Sequence, residues 1–159
     1  MSQKQLAKLL KAIIIGLFIC GIFVGLFLVP YVGNSLLKDY PEFTSRFWPW
    51  IILIYVVITP CFIVLFKVWS IALSIENDKS FTKQNCKILQ QISYIALFDS
   101  AFFLIMNLVY MLFNISHASI FLASFFVAFV GIAFSVVSGA LSHLVKKASD
   151  IREENEYTI

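Results

Sequence analysis

The chain has 159 residues, of which 60% are hydrophobic, 16% aromatic and only 13% charged, with a mean hydropathy of +0.90. Soluble domains average about 45 to 50% apolar residues, so this composition excludes a water-soluble globule. The formal net charge of +3 is small and its lysines flank apolar runs, which suits membrane orientation and speaks against direct contact with nucleic acid.

A bilayer core of ~30 Å is crossed by about 20 helical residues, and four apolar runs of that order lie along the chain. The first, residues 12–32, follows an amphipathic lead-in in which Lys4, Lys8 and Lys11 are interspersed with Leu6, Leu9 and Leu10. It is longer than the apolar region of a secretory signal and no A-x-A-like site closes it, so it is expected to remain as a transmembrane helix, with Pro30 marking its outer end. Gly21 and Gly25 form G-x-x-x-G, which suits close approach of another helix of this protein or of a second copy. Residues 33–46, with Lys38, Asp39, Pro41, Glu42 and Arg46, predict a short polar loop.

The second run, residues 47–69, opens on Phe47, Trp48, Pro49 and Trp50, aromatics suited to the headgroup layer with a proline where a first helical turn tolerates one. Trp69 marks its other edge. Pro60 withholds the N–H that the Val56 carbonyl needs, so a kink is expected there. A hinge, residues 70–91, follows: residues 76–80 make a turn, and Ser80 or Thr82 caps the next helix. Lys79, Lys83 and Lys87 fall four apart on one face, opposite Phe81, Asn85, Ile88 and Ile92, and suit anionic headgroups or a protein partner.

The third run, residues 92–113, is joined to the fourth, residues 120–144, by a loop short enough to force an antiparallel pair. That loop carries His117 and the glycosylation-type triplet Asn114-Ile115-Ser116. Gly131, Ser135, Gly139 and His143 recur every four residues as a small-residue stripe for close packing, with His143 at the membrane edge. In the tail, residues 145–159, helical spacing continues through Val145, Ala148 and Ile151, and residues 150–156 then hold four acids and one base. Their cationic counterpart is either the hinge lysines or a basic partner.

The predicted fold is thus all-α: a single integral membrane domain, residues 1–159, of four transmembrane helices in two antiparallel hairpins. Ten Lys and Arg residues fall on the side of the termini and hinge, against only Lys38 and Arg46 on the other, which places both termini in the cytoplasm of a cell-membrane protein.

Signatures of catalysis are missing: there is no H-E-x-x-H, G-x-S-x-G, phosphate-binding glycine loop or paired-carboxylate spacing, and no catalytic, metal or cofactor residue is assigned. Cys20, Cys61 and Cys86 lie in three different segments without a C-x-x-C pair, so they read as packing residues. His117 and His143 fall on opposite sides of the membrane. Asp99 breaks the rule of apolar spans, lying about seven residues, or ~10 Å, inside the third run. An ionised aspartate there costs on the order of 3 kcal/mol, so it is expected to be either a proton or ion site or a polar clasp to the Val56 carbonyl level with it. Asn107, two turns further out, carries the same alternatives.

Two stretches carry a resemblance: Ser80-Phe81-Thr82-Lys83-Gln84-Asn85 followed by Leu89 and Ile92, and the terminal Glu153-Glu154-Asn155-Glu156-Tyr157-Thr158-Ile159. They are similar to the bacterial domain-of-unknown-function family numbered 2975, whose ending more often has leucine where Tyr157 stands. The resemblance implies four membrane spans and no assigned biochemistry. It also implies gene neighbourhood with a small helix-turn-helix regulator of the Cro/cI type. The residues it carries over are Phe81, Asn85, Glu154, Asn155, Thr158 and Ile159.

The expected function is therefore non-enzymatic: a multi-pass membrane protein whose hinge and tail bind a soluble helix-turn-helix regulator through Phe81, Lys83, Asn85, Lys87, Glu153, Glu154, Asn155, Thr158 and Ile159. The alternative is a small transport, channel or toxin-immunity component working through Asp99. Membrane lipid is the other expected partner, and a homo-oligomer is compatible with the glycine stripes.

Overall fold

The computed structural model describes residues 2–39 and 44–156. Helix α1 (Gln3–Phe23) runs through a π turn (Val24–Leu28) into α2 (Val29–Asp39); α3 (Thr44–Glu76), α4 (Lys83–Leu112) and α5 (Ala118–Glu156) follow. Four helical stretches, of 33, 31, 30 and 37 residues, are long and apolar enough to cross a membrane. At 1.5 Å per residue, a 30-residue helix is ~45 Å long against a core of ~30 Å, so helix ends stand clear of the hydrocarbon.

The start of α1 is set by Ser2, whose hydroxyl accepts from the Gln5 N–H at 3.3 Å while Gln5 Oε1 accepts from the Ser2 N–H at 3.0 Å. This reciprocal capping satisfies two groups that a helix start leaves open. The expectation that Pro30 ends the first helix is corrected, because the helix continues past it to Asp39. In the π turn the Val29 N–H reaches back to the Val24 carbonyl, and the next residue able to serve Gly25 is a proline with no N–H. Gly25 is buried, and its stranded carbonyl accepts instead from Tyr55 Oη of α3 at 2.8 Å. In lipid no water would do this, so the hydroxyl is what allows helix on both sides of Pro30.

Helix α3 likewise passes through Pro49 and Pro60 without a break. Beside Pro60, Thr59 Oγ1 donates to the Tyr55 carbonyl at 2.8 Å and Cys61 Sγ to the Val57 carbonyl at 3.6 Å.

The α3–α4 and α4–α5 turns each end a helix in the same way. Asp78 (φ 57°) and Asn114 (φ 56°) take the left-handed conformation that glycine usually supplies at a helix end. At the first, Lys79 N bonds Ser74 O at 2.9 Å and Asp78 N bonds Ile75 O at 3.2 Å; at the second, Ile115 N bonds Tyr110 O at 2.8 Å and Asn114 N bonds Met111 O at 3.1 Å. Short polar Asp and Asn side chains tolerate this geometry better than other non-glycine residues.

The spans lie in chain order. Among the described residues, extensive contacts join α1 to α3, α3 to α4 and α4 to α5, and α2 adds a small contact with α3. Pairing runs antiparallel at each step: Phe18 meets Phe62 while Gly25 meets Tyr55, Gln91 meets Lys67 while Tyr110 meets Trp50, and Ser93 meets Ser135 while Asn107 meets Ser124. The result is an open layer rather than a closed bundle. Only 6 to 17% of each apolar window is buried.

Polarity is correspondingly turned inside out. The largest fully buried side chains are Ile92, Asn85 and Asn107, and serines 100, 124, 135, 138, 142 and 149 are buried, while phenylalanines such as Phe98, Phe126 and Phe129 face outward. A protein dissolved in hydrocarbon gains nothing by hiding rings and must hide its amides and hydroxyls.

Candidate functional site

The hinge is built around Asn85. Thr82 caps α4 by accepting from the Asn85 N–H at 3.3 Å, and Asn85 Nδ2 donates to the Lys79 and Ser80 carbonyls at 3.0 and 2.9 Å. Both are acceptors, so the orientation of the amide is fixed and Oδ1, on its other side, has no hydrogen-bond partner among the described residues. Asn85, expected on the partner-binding face, is only 1% exposed. It holds the loop in shape and leaves contact to its neighbours.

The predicted division of hinge faces is corrected as well. Because α4 begins at Lys83, Lys79 precedes the helix and only Lys83 and Lys87 share a helical face. Phe81, assigned by spacing to the side of Asn85 and Ile92, lies in the bend before the helix and is 52% exposed. Lys79 and Lys87 are exposed on either side of it in sequence.

The acidic tail finds its counterpart inside the chain. Helix α5 runs on to Glu156, Ser149 is buried, and Glu153 Oε2 lies 2.6 Å from Lys83 Nζ. Glu154 is exposed on the same turn, and Asn155 falls in the last turn of α5. Thr158 and Ile159, with Tyr157, lie outside the described residues. At the same end Lys67 Nζ donates to Gln91 Oε1 at 2.7 Å, and Lys11 sits 2.5 Å from Glu76 and 5.6 Å above the Trp69 ring. The hydrogen bond from Lys11, and then its charge, hold the Glu76 carboxyl below the usual carboxylate range at this polar end of α3.

The intramembrane polar residues separate into two kinds. Asn107 is fully buried: Nδ2 donates to the Phe103 carbonyl and Oδ1 accepts from Ser124 Oγ, both at 2.8 Å. Asp99 is half-buried, faces α3 near Cys61, and makes none of the hydrogen bonds or ion pairs found among the described residues. The expected clasp to the Val56 carbonyl is therefore not formed.

Sequence reasoning missed the seam that holds α4 to α5. Cys86, Ser93, Ser100 and Asn107 recur every seven residues along α4. They meet α5 in succession: Ser142 Oγ donates to the Cys86 carbonyl at 2.8 Å, Ser93 and Ser135 exchange hydroxyl-to-carbonyl bonds at 2.8 and 2.7 Å, and Ser100 abuts Gly131. The stripe anticipated through Gly131, Ser135 and Gly139 continues through Ser142, and His143 is exposed outside it. Strict period seven, the mark of helices wound around each other, was the available signal. No group of three His, Cys, Asp or Glu residues able to hold a metal occurs among the described residues.

Long apolar helices with inward amides and hydroxyls define a multi-pass α-helical membrane protein. The chain belongs to the family described as protein of unknown function DUF2975, whose profile matches residues 31–159. It is similar to the uncharacterized membrane protein YoaS of Bacillus subtilis (strain 168), at 27% identity over 136 residues covering 84% of this chain and 85% of that one. No solved structure matches it.

Proposed function

We propose that this protein is a non-enzymatic membrane anchor in the cell membrane, its termini and hinge in the cytoplasm, whose hinge-side face holds a soluble protein. The observation that carries the reading is Phe81, a large apolar ring 52% exposed in a loop flanked by lysines, where the chain has left the spans. An aromatic anchor among charges is the usual centre of a protein contact. The loop is held by Asn85, and the adjoining end of α5 by Glu153 on Lys83, so the surface is presented in one shape. The resemblance of the hinge motif supplies the partner class, a helix-turn-helix regulator, restrained or sensed through Phe81, Lys83, Lys87 and the α5 end, including Glu154, Asn155, Thr158 and Ile159.

Crosslinking from native membranes followed by pull-down tests this. The expected result is a DNA-binding protein recovered with the wild-type chain and lost with Phe81→Ser, while Phe98→Ser on the lipid side leaves recovery unchanged. Equal recovery with both variants would overturn the reading. Orientation is checked with Lys79→Cys in a cysteine-free chain, because Cys86 Sγ is engaged with Ser142 Oγ at 3.3 Å and is a poor target. An impermeant thiol reagent should label residue 79 only after lysis.

One observation favours a second reading, transport or immunity through Asp99: its carboxyl sits in the α3–α4 groove without a hydrogen-bond partner among the described residues. That reading expects Asp99→Asn and Asp99→Leu to abolish function equally with the fold retained. The anchor reading expects both to keep the regulator.

A further inference from the structure

Inside the spans the charges reduce to one of each sign. From residue 47 to 75 of α3 the charged residue is Lys67, from 88 to 112 of α4 it is Asp99, and residues 12–37 and 118–145 hold no Lys, Arg, Asp or Glu. Both lie along the contact between α3 and α4, yet they do not meet. Lys67 Nζ donates to Gln91 Oε1 at 2.7 Å, and Asp99, beside Cys61, makes none of the hydrogen bonds or ion pairs found among the described residues.

Helix geometry puts the two within reach. Cys61 and Lys67 are six residues apart, ~9 Å along α3. Cα–Cβ bonds tilt toward the N-terminus of their helix. Lys67, on α3 running toward the hinge, therefore leans away from the hinge, and Asp99, on α4 running away from it, leans back toward it. The side chains converge, and the flexible four-carbon stem of the lysine spans what remains. Lys67 is held elsewhere by a neutral amide, which a carboxylate outcompetes because charge-assisted hydrogen bonds are about twice as strong.

A carboxylate alone in hydrocarbon is costly and needs either a proton or a cation. A metal ion suits the place poorly: calcium takes about six to eight oxygen ligands, and Asp99 is the one carboxylate in the spans. At its level α3 carries the titratable groups Cys61 and Lys67, α1 carries Cys20, and α5 has none from residue 118 to 142. Away from the hinge the groove is closed, with Tyr110 Oη on the Pro49 carbonyl at 2.8 Å, its ring edge-on to Trp50, and Leu53 buried. The proton is therefore exchanged with the hinge end, past Lys67.

We propose that Asp99 is a proton-binding site read by Lys67: with the carboxyl neutral, Lys67 stays on Gln91, and when the proton leaves for water at the hinge end, Lys67 becomes the ion-pair partner of the carboxylate. The O–H bond breaks, the released charge meets an ammonium already present, and no other reactant takes part. This deepens the second reading above, and because proton binding is read on the purified chain it holds or fails independently of what Asp99→Asn does to function.

The test uses the full chain in vesicles of neutral lipid, with the carboxyl stretch followed by infrared difference spectroscopy as pH is raised. The wild type should lose one carboxyl band that Asp99→Asn lacks. An opposite charge nearby lowers a carboxyl by roughly one to three pH units, so Lys67→Gln should move the midpoint of that loss up by about one unit or more, a tenfold gain in proton affinity. Lys67→Arg, which keeps the charge, should stay close to the wild type. Gln91→Leu, which releases Lys67 from its present partner, should move the midpoint down. In the unaltered chain a lipophilic carbodiimide, which adds to a protonated carboxyl, should modify Asp99 at acid pH and progressively less as pH rises. A band that persists at every pH, a midpoint unmoved by Lys67→Gln, an upward shift in Gln91→Leu, or carbodiimide labelling independent of pH would each overturn the proposal. So would a midpoint that follows sodium concentration, which would mark a metal-ion site.

Discussion

The α4–α5 and α1–α3 pairs are both antiparallel and both lie in lipid, yet they are joined by opposite chemistries. Small hydroxyl and amide groups close α4 on α5, in steps of seven residues along α4. Rings close α1 on α3: Phe18 stands edge-on to Phe62 and Phe66 at centroid distances of 5.0 and 5.3 Å, and Gly21 leaves room for Phe62. Hydrocarbon replaces ring contacts almost without loss, whereas it offers nothing to a hydroxyl or a carbonyl. The first pair is therefore held by bonds that lipid cannot substitute, and the second by shape, one tyrosine hydroxyl and an ionic contact at its end.

The largest expected effect is at Gly131, where any side chain would collide with Ser100. Gly131→Leu should cost about 3 kcal/mol through overpacking, read as loss of folded protein in a denaturing-detergent titration. Gly16→Leu, at a glycine with nothing within 4 Å, should be neutral. If both were neutral, the tight seam would not be what holds α4 to α5.

Tyr55→Phe comes next, because it strands the Gly25 carbonyl at a cost of about 2 kcal/mol. Pro30→Ala restores an N–H to the same region, so in that background the tyrosine change should cost less than half as much. Equal costs in the two backgrounds would mean that the hydroxyl does not serve the carbonyl. This cycle measures how much of the α1–α3 pair is a hydrogen bond and how much is shape.

Within the serine seam, Ser93→Ala and Ser135→Ala should show a coupling of about 0.6 kcal/mol, the average for such bonds in membranes. The smallest effect is expected from Lys83→Ala or Glu153→Ala: both side chains are about half exposed, and an exposed ion pair contributes less than about 1 kcal/mol. Thermal unfolding followed by tryptophan fluorescence resolves the first and should barely register the second.

Much of the architecture follows from composition, because an apolar run of about 20 residues has few other uses. Local chemistry narrowed the helix cap to Ser80 or Thr82, and the structure uses Thr82. The continuation past Pro30 was not readable locally, since it depends on a tyrosine 25 positions later reaching back to residue 25. Asn85 resembled a surface residue because its two acceptors are backbone carbonyls of a loop whose fold a sequence does not display. Attention to Asp99 as a single exception hid the periodic series 86, 93, 100 and 107, in which each member is unremarkable alone. The acids of the tail pointed outward to a partner or inward to the hinge lysines; the pair Lys83–Glu153 realises the inward option.

The chain-order layer has a consequence for how the protein is made. Each span's principal contacts are with the span synthesised just before or after it, so helices can associate pairwise as they leave the ribosome. The exception to comfort is α4, which enters the bilayer carrying Ser93, Ser100 and Asn107 before the α5 groups that will cover them have been translated. That interval, the time needed to add the five-residue turn and the length of α5, is when α4 is most exposed to pairing with a wrong helix. The brevity of the turn shortens the wait.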